Sequence, residues 1–176
     1  MLPPLKPITD KNGDSCSYLT KLAEISEPYL KEYGITLNLK GYEDTCQKYF
    51  LMTPDENELA WELAKELNAW GQYIGNYANL IQDLFLDAET DKLSVMSQKS
   101  IEFSEKTVAS GDRYANTQKE VIAARKKRNA LKALYDALQA ETEFLERGYY
   151  SCKSTAEWAL KAQQKGIGQG ADSKWQ

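Results

Sequence analysis

The sequence contains no histidine. That absence removes Ser-His-Asp and Cys-His nucleophilic catalysis, HExxH zinc sites and the Glu-x-x-His ligands of di-iron helical bundles. Its three cysteines, Cys16, Cys46 and Cys152, are odd in number, far apart and in no CxxC arrangement. They indicate neither a disulfide framework nor a zinc knuckle, and they suit a reducing compartment. Proline occurs only five times, and Pro3, Pro4 and Pro7 fall at the start, so most of the chain is open to helix. No run approaches the apolar length needed to cross a bilayer. The opening Met1-Leu2-Pro3-Pro4-Leu5-Lys6-Pro7 lacks the basic-then-apolar order of a secretory signal, and a cytoplasmic protein is expected.

What is present points to helix. The 176 residues fit one ordinary domain, with room for a small appended subdomain, and suffice for a real hydrophobic core. The composition is rich in Ala, Leu, Glu, Lys and Gln, all good helix formers, so the expected fold class is all-α. The formal charge of -4 conceals an asymmetry: residues 1–91 carry 7 basic and 16 acidic side chains, residues 92–176 carry 15 and 10. A local positive zone can attract a polyanion, and an acidic half can repel one or recruit a basic protein.

Three regions follow along the chain. Residues 1–52 form an N-terminal arm followed by short helices, expected at about 18–33 and 42–52 and separated by Gly34 and Gly41. Ile35-Thr36-Leu37-Asn38-Leu39 alternates apolar and polar, but a lone strand has nothing to pair with and reads as a connector. Thr53-Pro54-Asp55-Glu56 carries a capping-box signature that opens a long helix. From there Ala60, Leu63, Leu67, Trp70, Ile74, Tyr77, Ile81, Leu84 and Ala88 recur at 3,4 spacing, the seam of a coiled-coil-like bundle. A turn fits at Asp87-Ala88-Glu89-Thr90-Asp91 or at Ser110-Gly111-Asp112. The second is favoured, because glycine ends helices and Asp112 can cap the next. A second long helix with a stripe of Val121, Ala124, Leu131, Leu138 and Leu145 runs to about Lys165, making residues 53–165 a long antiparallel helical hairpin. Residues 166–176 read as a flexible tail. Two helices cannot bury their apolar faces alone, so the N-terminal pieces, other copies of the chain, or both must cover them, and a homo-oligomer is expected.

Little in the chain suggests catalysis, and no enzyme, cofactor or metal site is expected. Glu141, Glu143 and Glu146 read as a solvated helix face. Gly166-Ile167-Gly168-Gln169-Gly170 follows a helix, whereas a phosphate loop follows a strand and opens a helix. Cys152 sits at a seam position with no histidine to activate it, and reads as a small core residue.

The strongest chemical signal is Arg125-Lys126-Lys127-Arg128, flanked by Lys119 and Lys132. Consecutive cations on a helix repel unless a polyanion or an acidic surface compensates. At about 100° per residue Arg125, Arg128 and Lys132 fall along one edge of the apolar stripe and Lys127 along the other. That geometry suits a phosphate backbone. It equally suits Lys and Arg stems lying over a hydrophobic seam, neutralised by Glu58, Glu62, Glu66 and Asp83 across the hairpin. Tyr114, Tyr135, Tyr149, Tyr150 and Trp175 are candidates to stack on bases, although aromatics at helical spacing more often belong to a core.

Near the C-terminus, Glu146-Arg147-Gly148-Tyr149-Tyr150-Ser151-Cys152-Lys153-Ser154-Thr155-Ala156-Glu157-Trp158 resembles the closing segment of phage recombination mediator proteins of the UvsY type. Several of those end in Arg-Gly-aromatic, then Lys, then Glu-Trp. The preceding charged helix, from Lys119 through Arg128 to Tyr135, is similar in kind, so the resemblance covers roughly the C-terminal third. It implies a small helical protein that assembles into a ring, binds single-stranded DNA and helps a recombinase replace single-strand-binding protein, hydrolysing no nucleotide itself. By the same resemblance Arg147 and Lys153 join Lys119, Arg125, Lys126, Lys127, Arg128 and Lys132 as DNA-contact candidates, and Gly148 becomes a local backbone feature. The acidic N-terminal portion, with Trp61 and Trp70, departs from that pattern and suits assembly or a protein contact.

The expected function is therefore a non-enzymatic single-stranded-DNA-binding accessory protein for homologous recombination. The alternative is a helical protein-interaction module, a phage structural component or an inhibitor of a host protein, in which the basic run only neutralises the first long helix.

Overall fold

The computed structural model describes residues 8–13, 16–53, 57–103 and 108–171, with side chains beyond 162 and that of Asn57 left aside. Five helices follow in order: α1 (Tyr18–Lys31), α2 (Tyr42–Leu51), α3 (Asn57–Glu102), α4 (Val108–Ala115) and α5 (Lys119–Ala171). Among the described residues there is no strand, and the 35–39 stretch is a connector. The fold is all-α, with α3 and α5 packed against each other as a helical hairpin.

Local chemistry explains the short helices. The Ser17 hydroxyl accepts the Thr20 N–H and caps α1. After α1 the Ile35 N–H returns to the Leu30 carbonyl, with Gly34 at φ 67° in the left-handed conformation that glycine adopts without cost. The capping box expected at Thr53-Pro54-Asp55-Glu56 falls largely outside the described residues.

The helices distribute over two compact units. The first comprises Met1–Asn38 and Gly75–Gln139, the second Leu39–Ile74 and Ala140–Gln176. In the first, Ala78, Ile81, Leu84 and Ala88 of α3 and Val121, Leu131, Leu134 and Leu138 of α5 are buried, together with Leu19, Leu22 and Leu30 of α1. Burying each leucine contributes about 1.5–3 kcal/mol, which is why the apolar stripes dictate the pairing. Ser26, fully buried on α1, donates its hydroxyl to the Ala130 carbonyl at 3.2 Å and fixes α1 on α5. The pairs Lys99–Glu120 and Glu89–Arg128 run in opposite order along α3 and α5, so the helices are antiparallel here.

In the second unit Ala60, Leu63, Ala64, Leu67 and Ile74 of α3 are buried with Leu145, Cys152 and Ala156 of α5 and Tyr42 of α2. Gly148 is a contact residue: a Cβ there would stand 3.2 Å from Leu67 Cδ1 and 3.6 Å from the Tyr49 ring, so its small size lets the elements close. Tyr42 packs edge-on against Trp70 and donates its hydroxyl to the Glu141 carboxylate. Burial and that carboxylate push the Tyr42 phenol well above the ordinary tyrosine range. Glu143 and Glu146 lie on the exposed face as expected, but Glu141 is half-buried. Tyr42 docks on it, a long-range contact that no local pattern announces. Cys152 is a core residue with its thiol 3.9 Å from the Met52 sulfur.

Three boundaries differ from the sequence reading. Neither candidate turn is one: residues 87–91 continue α3, and Ser110-Gly111-Asp112 lies inside α4. The chain leaves α3 after Glu102 and turns again at residues 116–118. Gly111 is buried and presses on Ser100, so it marks a close approach between helices. The third difference is that α5 continues past Lys165 through the glycines to Ala171, and residues 172–176, including Trp175, lie outside the described residues.

Candidate nucleic-acid interface

Six of the eight predicted contact residues, Lys119, Arg125, Lys126, Lys127, Arg128 and Lys132, lie on the part of α5 that belongs to the first unit. They divide into two groups. Three are held by carboxylates. Lys127 Nζ is 2.6 Å from Glu32 and lies 5.0 Å from the Tyr33 ring centre. Burial alone would lower its pKa, but hydrogen bonds to Glu32 and Tyr33 outweigh burial and hold the ammonium above the ordinary lysine value. Arg128 places Nε at 3.0 Å and Nη2 at 2.8 Å from one oxygen of Glu89, whose other oxygen accepts from Lys92 at 3.2 Å. The hydrogen bonds from Arg128 and Lys92 hold the Glu89 carboxyl below the usual carboxylate range. Lys132 Nζ is 2.8 Å from Asp136, one turn further along the same helix. Arg128 and Lys132 also lie 5.3 Å and 5.6 Å from the Phe85 ring centre, so their stems cover one aromatic of α3.

The expected placement of Lys127 on one side of the stripe, with Arg128 and Lys132 on the other, matches these contacts. The expected acidic partners do not. Glu66 engages Thr45 and Lys48 of α2, and Glu58, Glu62 and Asp83 have no cation within ion-pair distance among the described residues. The partners are Glu89, Glu32 and Asp136.

The second group remains open. Arg125 is exposed and donates to Asn116, a neutral side chain in the turn before α5. Lys119 and Lys126 are exposed, and among the described residues neither meets a carboxylate. Seven residues apart, they share one line of the helix. Arg113, exposed in the last turn of α4, is a further cation that the consecutive run in α5 had overshadowed. Beside it Tyr114 stacks on Phe103, ring centres 4.6 Å apart and planes within 15°.

The remaining two predicted residues belong to the second unit. Arg147 is exposed, its Nε donating to the Glu143 carbonyl at 3.2 Å, and Lys153 lies 5.8 Å from the Tyr149 ring centre. Tyr149 in turn meets Tyr150 edge-on, and Tyr150 is 65% exposed. Tyr135, by contrast, stacks on Phe85 and is half-buried, so it serves the packing of α3 on α5.

Among the described residues no group of three or more His, Cys, Asp or Glu side chains is arranged to hold a metal ion, and no helix is long and apolar enough to cross a membrane. Comparison of the chain with protein-family models, with curated proteins and with solved structures found no match.

Proposed function

We propose that the chain is a non-enzymatic accessory protein of homologous recombination, of the phage mediator kind, that self-associates and binds single-stranded DNA. A recombinase and a single-strand-binding protein would be its protein partners. The observation that carries the reading is the set of exposed cations Lys119, Arg125 and Lys126, which no carboxylate neutralises among the described residues. Long flexible cations in that state lose little on meeting a phosphate and release counterions when they do. Arg113 is a further exposed cation of the first unit, and Tyr114 offers a ring face for a base, while Arg147, Lys153 and Tyr150 provide a comparable set in the second unit. The resemblance of the C-terminal third to UvsY-type mediators supplies the biological context.

A second reading is favoured by the pairs Lys127–Glu32, Arg128–Glu89 and Lys132–Asp136, which satisfy half of the six-residue basic segment internally. On that reading the chain is a helical protein-interaction module, with no nucleic-acid role.

Fluorescence anisotropy of a labelled single-stranded oligonucleotide, at low and high salt and beside a duplex of equal length, separates the two. The DNA reading expects salt-sensitive binding that prefers the single strand. It expects that binding to be abolished by Arg125→Glu with Lys126→Glu at unchanged helix content, whereas Arg128→Glu chiefly lowers thermal stability. No binding at low salt overturns it in favour of the interaction module.

A further inference from the structure

We infer that the outward face of α3 between Leu80 and Leu93 docks a basic amphipathic helix of a protein partner. Leu80, Leu86 and Leu93 on this face are 42%, 52% and 55% exposed. Among them run Asp83, Asp87 and Asp91, all exposed, spaced four residues apart along one ridge of the helix. At about 100° per residue Leu80 and Leu86 stand about 60° to either side of Asp83. Leu93 continues the Leu86 side two turns on.

The charges on this face differ from most of the described carboxylates of the first unit. Glu27, Glu32, Glu89, Glu102 and Asp136 each lie within 4.0 Å of a Lys or Arg nitrogen. For Asp83, Asp87 and Asp91 there is no such cation among the described residues. Nor does the helix itself reward them: like charges at four-residue spacing repel, and the mid-helix position offers no favourable dipole. Exposed leucines beside uncompensated carboxylates are complementary to a surface of opposite charge with its own apolar line. A helix presenting Leu, Ile or Met at i, i+3, i+4 and i+7, flanked by Lys or Arg, is the element with that pattern. The same charges repel phosphate, which excludes nucleic acid and anionic lipid from this face. The inference uses none of the cations of α5 and is independent of the DNA reading.

The test is a titration of the full chain into a labelled helical peptide of about 18 residues, about 27 Å long, with leucines at those positions and lysines flanking them. Two control peptides keep the leucines with glutamate for lysine, or keep the composition in scrambled order. Saturable binding of the first peptide alone is expected. Affinity should fall at least about tenfold, a loss of about 1.4 kcal/mol, both in an Asp83→Lys, Asp87→Lys, Asp91→Lys variant and in a Leu86→Ser, Leu93→Ser variant. All substituted side chains are exposed, and circular dichroism checks that both variants fold. An Arg125→Glu, Lys126→Glu variant should bind the peptide as the natural chain does, whatever its DNA affinity. Absence of binding at low salt, equal binding of the scrambled peptide, or undiminished affinity of either face variant overturns the inference.

Discussion

Gly111 of α4 lies so close to Ser100 of α3 that a Cβ on the glycine would fall 2.7 Å from the serine Oγ and 2.8 Å from its carbonyl oxygen. The neighbouring Asp112 accepts a hydrogen bond from the same Ser100 hydroxyl at 3.0 Å. Alanine normally gains about 1 kcal/mol over glycine inside a helix. Here the obstacle includes a backbone carbonyl that cannot rotate away, and overpacking costs about 1–3 kcal/mol. Gly111→Ala is expected to lower the stability read from urea denaturation, by about 1 kcal/mol net.

Gly71 should respond in the opposite sense. A Cβ there would stand 3.7 Å from Leu145 Cβ, an ordinary contact, and the position lies inside α3. Gly71→Ala is expected to raise stability by about 0.5–1 kcal/mol, because the helix-propensity gain meets no steric penalty. A loss of stability in the same denaturation experiment would show that the helices approach more closely than described.

Ser26→Ala removes the buried hydroxyl that joins α1 to the Ala130 carbonyl. That carbonyl can retain its helical partner, so the loss is an ordinary neutral hydrogen bond, about 0.5–1.5 kcal/mol. Hydrogen exchange is expected to show faster opening of α1 amides, with α5 amides less affected.

The Glu89 carboxyl titrates below its ordinary range when folded, so its stabilising effect has a defined pH window. That effect is fully present above the unfolded value of about 4.3 and is lost as pH falls through the lowered folded value. Glu89→Gln should therefore melt below the natural chain at neutral pH. The gap between the two melting temperatures should close in acid, below the ordinary carboxylate range. A gap independent of pH would mean that shape and not charge holds Arg128.

If Lys119, Arg125 and Lys126 each neutralise one phosphate, the logarithm of single-strand affinity should fall against the logarithm of salt with a slope of about -2. Lys126→Ala should reduce the magnitude of that slope by about 0.7, while Lys132→Ala should leave it nearly unchanged. Equal effects of the two substitutions would show that Asp136 releases Lys132 to the nucleic acid.

The seam was legible in the sequence because burial selects apolar residues at the helical period. Ala60, Leu63, Leu67, Ile74, Ile81, Leu84 and Ala88 are all buried, as are Val121, Leu131, Leu138 and Leu145. Trp70 and Tyr77 fit the spacing yet stay half-buried, the one against Tyr42 and the other donating its hydroxyl to the Thr36 carbonyl at 2.9 Å. The turns were not legible, because glycine signals either a chain reversal or a close approach, and Gly111 serves the second. The register that sets Lys99 near Glu120 also places Glu89 opposite Arg128. The consecutive cations were plain to read. That Lys127 and Arg128 face carboxylates depends on α1 and on that register, neither of which the local pattern contains, whereas the four-residue pair Lys132–Asp136 stands in the sequence itself.

The Ser26 hydroxyl and its acceptor Ala130 are 104 residues apart in the chain, and Tyr42 and Glu141 are 99 apart. At a synthesis rate of about 5–20 residues per second, α1 and α2 leave the ribosome about 5–20 seconds before the segments of α5 on which they settle. Through that interval Leu19, Leu22, Leu30 and Tyr42 have no α5 surface to cover them, so these side chains stay open to chaperones and proteases while the hairpin is still incomplete.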